Sequence, residues 1–131
     1  MRVVLVGLVV ALAGCRESVT APTTPLNTQI TVSVGETTTI REASLRLTFV
    51  GVLNDSRCPA DAVCILGGDA LVRISVDSNG GGPAVYDLHT GSLDPVRHAE
   101  LTIALVELSP YPFSARPIAS GDYRATFRVI R

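Results

Sequence analysis

The stretch Tyr123-Arg124-Ala125-Thr126-Phe127-Arg128-Val129 alternates apolar and polar residues without a break. Successive side chains of a strand point to opposite faces, so this pattern predicts a β-strand with one buried and one exposed face. Arg124 and Arg128 are expected to face water. The predicted inward row consists of Tyr123, Ala125, Phe127 and Val129.

The same alternation recurs upstream of this strand, from residue 28 onward, and no segment sustains an apolar helical stripe of three turns. Three further runs alternate in the same way, at residues 30–34, 45–49 and 72–77. Residues 37–41 and 84–89 are expected to pair with neighbouring strands across turns, and 101–108 alternates with one change of phase. About seven short strands over residues 28–131 predict an all-β fold, either a small antiparallel β-sandwich or an open barrel.

Turn and bulge signals between the runs predict some of the connections. Gly35-Glu36 predicts a hairpin between the first two strands, and the glycine-rich stretch 78–83 predicts that 84–89 pairs back against 72–77. Gly51 predicts a bulge ahead of the cysteines. The apolar phase changes between Leu105 and Val106, which requires a bulge there or burial on both faces.

Composition identifies a folded domain but selects no partner. The 131 residues are 47% hydrophobic and 5% aromatic, which is too apolar for a disordered chain. Eleven basic residues stand against 12 acidic ones, so neither sign is in excess. The charge balance therefore points to no nucleic-acid partner, no anionic membrane surface and no polyanionic substrate.

The first 14 residues have the pattern of an export signal. Arg2 precedes an apolar run at 3–13, which is too short to span a bilayer. The run ends in Leu12-Ala13-Gly14-Cys15, which resembles the lipobox of bacterial lipoproteins. We expect a signal peptide over 1–14, lipid on Cys15 and a flexible tether over 15–27. The alternative is an ordinary secretory signal that leaves Cys15 as a free thiol.

Lipid on Cys15 would place the domain in the cell envelope, because two or more acyl chains make membrane anchoring effectively permanent. Arg16 follows the cysteine. In lipoproteins of Gram-negative bacteria an aspartate at that place is the better-known signal for inner-membrane retention. Its absence favours the periplasmic side of the outer membrane.

Two cysteines remain once Cys15 is lipidated. Cys58 and Cys64 flank five residues, and an exported pair meets an oxidising compartment, so we expect a Cys58–Cys64 disulfide. Zinc is the alternative, but this spacing is not a usual zinc spacing, and neither His89 nor His98 belongs to an H-x3–5-H pair. No metal site or cofactor is expected.

The cysteine segment carries a family resemblance. Asp55-Ser-Arg-Cys-Pro precedes Cys64-Ile-Leu-Gly-Gly-Asp-Ala70, and Ser109-Pro-Tyr-Pro112 follows some forty residues later. This arrangement resembles a group of small bacterial lipoproteins that carry DSRCP-x4-C, a short aromatic-containing turn and a later PYP segment. This chain has Leu66 where that group has tryptophan. The group has no established activity, so the resemblance implies fold and location only.

The sequence predicts no catalytic constellation. A G-x-S-x-G motif is absent, and His89 and His98 are both expected to face solvent, His89 at the end of a strand and His98 in a polar turn. Three aspartates bracket the cysteines and are a candidate site for a hard cation, although they fit no calcium-loop spacing. The alternative is that Asp55 caps the turn and that Asp61 and Asp69 are solvated.

The segment after residue 109 is the candidate binding surface. Tyr111, Phe113 and Arg116 lie among prolines that stiffen the loop, and aromatic and arginine side chains are favoured at binding hot spots. The alternative is that Tyr111 and Phe113 fold inward to cover one end of the sandwich, which the scarcity of aromatic residues favours.

The leading functional hypothesis is a membrane-anchored extracytoplasmic lipoprotein that acts as a non-enzymatic interaction or envelope-structural module. Its partners would be the membrane, through lipid on Cys15, and an unidentified envelope protein or ligand. The alternative is a small ligand-binding protein, or an inhibitor of an envelope enzyme, that uses the disulfide loop. A loop clamped by cysteines suits that role because preorganisation lowers the entropic cost of binding.

Overall fold

The computed structural model describes residues 24–92 and 94–131. The predicted signal peptide, Cys15 and most of the predicted tether lie outside these residues. The described part is an antiparallel all-β sandwich, which confirms the predicted fold class. Its strands are β1 (Gln29–Ser33), β2 (Thr37–Ile40), β3 (Leu45–Asp55), β4 (Ala70–Ser78), β5 (Ala84–His89), β6 (Val96–His98), β7 (Leu101–Ser109) and β8 (Arg124–Ile130). Arg41–Ala43 and Ser120–Asp122 form short 3₁₀ helices.

The strands divide into two four-stranded sheets. The β8 sheet has the order β1-β8-β7-β6, and the β3 sheet has the order β2-β3-β4-β5. The sequence predicts about seven strands, and the described residues contain eight, because the sequence assigns β6 to a polar turn. A strand of three residues is too short to show an alternating pattern, although Val96 packs on the core and Arg97 faces outward.

The predicted hairpin between the first two strands is wrong. β1 pairs with β8, and β2 pairs with β3, so the chain crosses from one sheet to the other at Gly35. The Gly35 amide donates to the Phe49 carbonyl, and Gly35 takes a positive φ of 80° that suits glycine. β8, the last strand, therefore pairs with β1, where the local turn signal predicts that β2 would pair.

The other predicted connections form as expected. β4 pairs with β5 across the glycine-rich turn. β3 changes register at Gly51, and β7 changes register between Leu105 and Glu107, so both predicted bulges are present. The second bulge leaves Val106 exposed and returns Leu108 to the core.

The core lies between the sheets and is mainly aliphatic. β8 has the predicted register: Ala125, Phe127 and Val129 are buried together with Tyr123, which precedes the strand, and both arginines are exposed. Phe127 meets Phe49 of the opposite sheet edge to face, with 6.1 Å between ring centroids. Two rings from different sheets therefore pack at the centre of an otherwise aliphatic interior.

The chain enters the sandwich and exposes its disulfide at opposite ends. The Thr24 amide donates to Thr39, and the Asn27 amide donates to Val129, so the entry lies beside the end of β8. The disulfide segment follows the far end of β3, which has 11 residues and a length of about 36 Å. We call these the entry end and the loop end.

Replacing Phe127 and its neighbour tests the core. Phe127→Ala removes a fully buried ring and is expected to lower the free energy of unfolding by about 3–5 kcal/mol. Arg128→Ala removes an exposed side chain and should change it by less than about 0.5 kcal/mol. Urea melts of the two variants measure both values, and a larger loss for Arg128→Ala would contradict the observed register.

Candidate functional site

Two segments form the loop end: the disulfide loop between Asp55 and Ala70, and the 110–118 segment after β7. Cys58 and Cys64 are joined, as the sequence predicts. The Cys58 amide donates to Gly67, and the Ser56 amide donates to Asp69, which folds the loop back on its own base. Gly68 is required there, since a Cβ would lie 1.8 Å from the Ser56 carbonyl oxygen.

A buried ion pair holds the base of this loop. The Arg57 guanidinium donates twice to Asp55, from Nε to Oδ1 at 2.8 Å and from NH2 to Oδ2 at 2.7 Å. The two side chains are only 6% and 10% exposed. The Tyr123 hydroxyl also donates to Asp55 Oδ2, at 3.0 Å. Asp55 therefore accepts hydrogen bonds from two different elements, in addition to the Arg57 amide that it caps.

Arg57 extends the contact to the second segment. Its NH1 donates to the Leu108 carbonyl at 2.7 Å, and its NH2 donates to the Pro110 carbonyl at 3.0 Å. The guanidinium carbon lies 5.3 Å from the centre of the Tyr111 ring, within the range of a cation–π contact. One arginine thus joins the end of β3 to the end of β7 and to the loop beyond it.

The ionisation of Asp55 is coupled to this network. Burial alone would raise the pKa of Asp55, but the hydrogen bonds from Arg57 and Tyr123 and the arginine charge outweigh it and hold the pKa below its usual value. A depressed pKa in the folded state adds stability above about pH 4. That stability is lost as the pH falls through the folded-state pKa.

The disulfide loop also docks directly on the 110–118 segment. The Ala60 amide donates to the Pro112 carbonyl at 2.9 Å, and the Ser114 amide donates to Asp61 Oδ1 at 2.8 Å. The bond from Ser114 lowers the pKa of Asp61. The two segments therefore form one unit at the loop end.

The outer surface of this unit is apolar. Val63 and Ile65 are fully exposed, and Leu66 is 81% exposed. Tyr111 and Phe113 are about half exposed, so the arrangement in which both rings fold inward is not the one that forms. We call these five residues the apolar tip.

Arg116 lies at the edge of the tip. Its guanidinium carbon is 5.2 Å from the centre of the Phe113 ring. A groove of about 320 Å³ runs between Tyr111 and Arg116, with Asp122 on its wall. All three residues of the predicted binding surface are thus brought together and exposed.

Asp69 and His89 lie beside the loop end. His89 Nδ1 contacts Asp69 Oδ2 at 2.5 Å, and Asp69 also accepts hydrogen bonds from Thr90 and the Gly91 amide. Burial would raise the pKa of Asp69, but these bonds lower it. His89 is half exposed, as predicted. Asp55, Asp61 and Asp69 each serve a separate hydrogen-bonding group rather than converging on one point.

His98 is not the solvent-facing side chain that the sequence predicts. It lies half-buried on β6, where Nε2 contacts the Ser78 hydroxyl at 2.8 Å and Nδ1 contacts the Tyr86 hydroxyl at 3.0 Å. A serine–histidine contact occurs in hydrolases, but there a carboxylate orients the histidine. Here Tyr86 occupies that position, and His98 connects the edges of the two sheets.

Comparison with family models, with curated proteins and with solved structures finds no match to this chain. Within residues 24–92 and 94–131, no three His, Cys, Asp or Glu side chains are grouped closely enough to hold a metal ion. The same residues contain no helix that is long and apolar enough to cross a membrane.

Sequence reasoning missed the role of Arg57 and the exposure of the loop aliphatics. Arg57 carried no signal beyond its place next to Cys58. Val63, Ile65 and Leu66 did carry one, because three large aliphatic residues fall within four positions of a segment with no strand alternation. Such residues have no core face to join.

Removing Arg57 tests the buried pair. Arg57→Met leaves the Asp55 carboxylate buried without its cation and is expected to lower the free energy of unfolding by about 3–5 kcal/mol at pH 7. The loss should shrink below about pH 4, because the wild type loses stability as Asp55 protonates while the variant is relieved of a buried charge.

Urea melts at both pH values measure this difference. Arg73→Met is the matched control, because Arg73 makes the same bidentate contact with Asp87 on an exposed surface. It should change stability little at either pH. Equal effects of the two substitutions would contradict the importance of the buried pair.

Proposed function

We propose that this chain is a membrane-anchored extracytoplasmic lipoprotein, held by lipid on Cys15, whose domain is a non-enzymatic interaction module. The proposal rests on the apolar tip, where large aliphatic side chains are exposed to solvent. The base of this loop is fixed by the disulfide and by polar contacts. The partner is an envelope protein that covers the tip.

The tip has the composition of a protein-binding surface. Contiguous exposed apolar groups mark interaction sites, and aromatic and arginine side chains are enriched at hot spots. Val63, Ile65 and Leu66 supply the apolar area, and Tyr111 and Arg116 supply the hot-spot residue types. Covering a large aliphatic side chain contributes about 1.5–3 kcal/mol, so a few such residues are enough for specific binding.

The tip is also preorganised. The disulfide, the Arg57 contacts and the bond from Ala60 to Pro112 restrict the loop before any partner arrives. Binding then loses less conformational entropy than it would with a free loop. The tip lies at the loop end, whereas the chain from Cys15 enters at the entry end, so a lipid anchor leaves the tip uncovered.

The shape of the tip favours a second candidate within the same class. A protruding, clamped loop fits a concave partner, and an enzyme cleft is such a surface. An inhibitor of an envelope enzyme that inserts the disulfide loop therefore remains the alternative function. The partner captured at Leu66 in the experiment below would distinguish the two.

Replacement of Cys15 tests the anchor. Cys15→Ser should abolish incorporation of radiolabelled palmitate and leave the protein uncleaved or soluble, whereas the wild type should carry the label in the membrane fraction. A Cys58→Ser, Cys64→Ser double variant is the control and should keep the label. Equal labelling of wild type and Cys15→Ser would exclude lipidation at this residue.

Site-specific photocrosslinking tests the tip. A photoreactive residue at Leu66 should form a discrete adduct in intact cells, and the same residue at Val85, which is 58% exposed on β5, should not. Adding Val63→Ser and Ile65→Ser should weaken the Leu66 adduct about tenfold or more, from the apolar area lost.

The protein also supplies the control for this experiment. Because Val63 and Ile65 are fully exposed, the double serine variant should keep the wild-type melting temperature. Adducts of equal yield from positions 66 and 85, or a Leu66 adduct that the serine variants leave unchanged, would rule out the tip as the contact surface.

A further inference from the structure

The outer face of the β8 sheet carries three arginines. Arg124 and Arg128 lie on β8, and Arg97 lies on the edge strand β6, opposite Thr102. All three are exposed, and the inward-facing residues on either side of each one fix its direction away from the core. We call Arg97, Arg124 and Arg128 the arginine face.

These arginines form no ion pairs among the described residues, although Glu107 lies opposite Thr126, between Arg124 and Arg128. The ion pairs formed within the described chain join Arg57 to Asp55, Arg73 to Asp87 and His89 to Asp69, and none involves the arginine face. Glu107 is the one acidic residue among the described strand residues of this face. The face is therefore positive although the chain has a formal net charge of −1.

The outer face of the β3 sheet is different and serves as an internal comparison. There Arg73 is paired with Asp87, and Arg46 lies directly opposite Asp77 in the register of β3 and β4. Arg46 forms no ion pair among the described residues, but an acidic residue lies opposite it, whereas no strand residue directly opposite Arg97, Arg124 or Arg128 is acidic.

The positive charges are spread along and across the strands of one sheet face. Arg124 and Arg128 are four residues apart on one strand, which places their Cα atoms about 13 Å apart. Between them, the Thr126 hydroxyl bonds to Thr31 of β1 at 2.9 Å and continues a polar row across the strands. A planar anionic surface matches this arrangement better than a single phosphate or carboxylate does.

We propose that the arginine face docks on the anionic phospholipid headgroups of the membrane that holds the lipid anchor. This inference rests on the proposed lipidation of Cys15. Eight residues separate Cys15 from Thr24 in the sequence, and the nine Cα-to-Cα steps span at most about 32 Å, so the face stays close to that membrane. Thr24–Asn27 lead into β1, an edge strand of the same sheet.

The expected strength of the contact is moderate. Arginine binds phosphate oxygens through paired hydrogen bonds, and each basic residue near an anionic surface strengthens binding about fivefold, or about 1 kcal/mol. Glu107 offsets part of this effect. In the docked state the β8 sheet lies on the headgroups, and the long axis of the sandwich runs parallel to the membrane. The apolar tip then lies at one end of the sandwich, beside the membrane surface.

The absence of tryptophan from the sequence allows a clean experiment. Ile130→Trp places a single reporter on the arginine face, and Val85→Trp places the matched reporter on the opposite sheet; both native residues are exposed. The lipidated full chain is purified and added to vesicles of phosphatidylcholine, with or without phosphatidylglycerol, that contain a dansyl-labelled lipid. Vesicle flotation reports the anchor, and energy transfer from tryptophan to dansyl reports the face.

Phosphatidylglycerol should raise energy transfer severalfold from Trp at position 130 and leave it unchanged from Trp at position 85. About 1 M salt should abolish the increase, because it shortens the Debye length to about 3 Å. Arg97→Gln with Arg124→Gln and Arg128→Gln should reduce docking about 100-fold without lowering the melting temperature. Arg46→Gln with Arg73→Gln is the charge control and should leave docking unchanged.

The two proposals fail in different ways. The protein could float with phosphatidylcholine vesicles while energy transfer from position 130 does not respond to phosphatidylglycerol. That result would contradict docking by the arginine face but would remain consistent with the lipid anchor. A protein that floats with neither vesicle would overturn both. Arginine-dependent, salt-sensitive retention on immobilised dextran sulfate, without a response to phosphatidylglycerol, would replace the lipid surface by a polyanionic glycan.

Discussion

The arrangement of the loop end depends on the buried contact between Arg57 and Asp55. Two opposite charges removed from water are stable only when their remaining hydrogen-bonding groups are also satisfied. Tyr123 serves the free side of Asp55, and the carbonyls of Leu108 and Pro110 serve the free side of Arg57. Those three partners come from the residue before β8, from β7 and from the loop after β7, so the pair is fully satisfied only when all of them are in place.

This requirement explains how an apolar loop remains exposed to solvent. An aliphatic loop without other support would collapse onto the sandwich, since burial of its side chains is favourable. At the loop end, polar contacts fix the backbone from below, through Arg57, the disulfide and the bond from Ala60 to Pro112. Val63 and Ile65 are therefore held outward, and the interior of the sandwich is left to its aliphatic core.

The same distinction between core and loop decides how much the sequence could predict. Strands with one buried face follow from the alternation of residues, so β8 and its inward row are predictable. The β7 bulge follows from the change of phase in that alternation, and the β3 bulge follows from Gly51. The partner of each strand depends on contacts across the whole chain. The pairing of β1 with β8 was therefore missed in favour of a local hairpin. For the same reason the alternation does not predict that Arg57 reaches Leu108, 51 positions away.

The buried and hydrogen-bonding groups of the loop end have partners within the protein, whereas its large apolar side chains remain exposed to solvent. Asp55, Asp61 and Asp69 already accept hydrogen bonds from the protein. The exposed aliphatic side chains would gain stability if a bound partner removed them from water. The proposed binding role rests on this distribution, because contact with a partner would remove from water the apolar area that the fold leaves exposed.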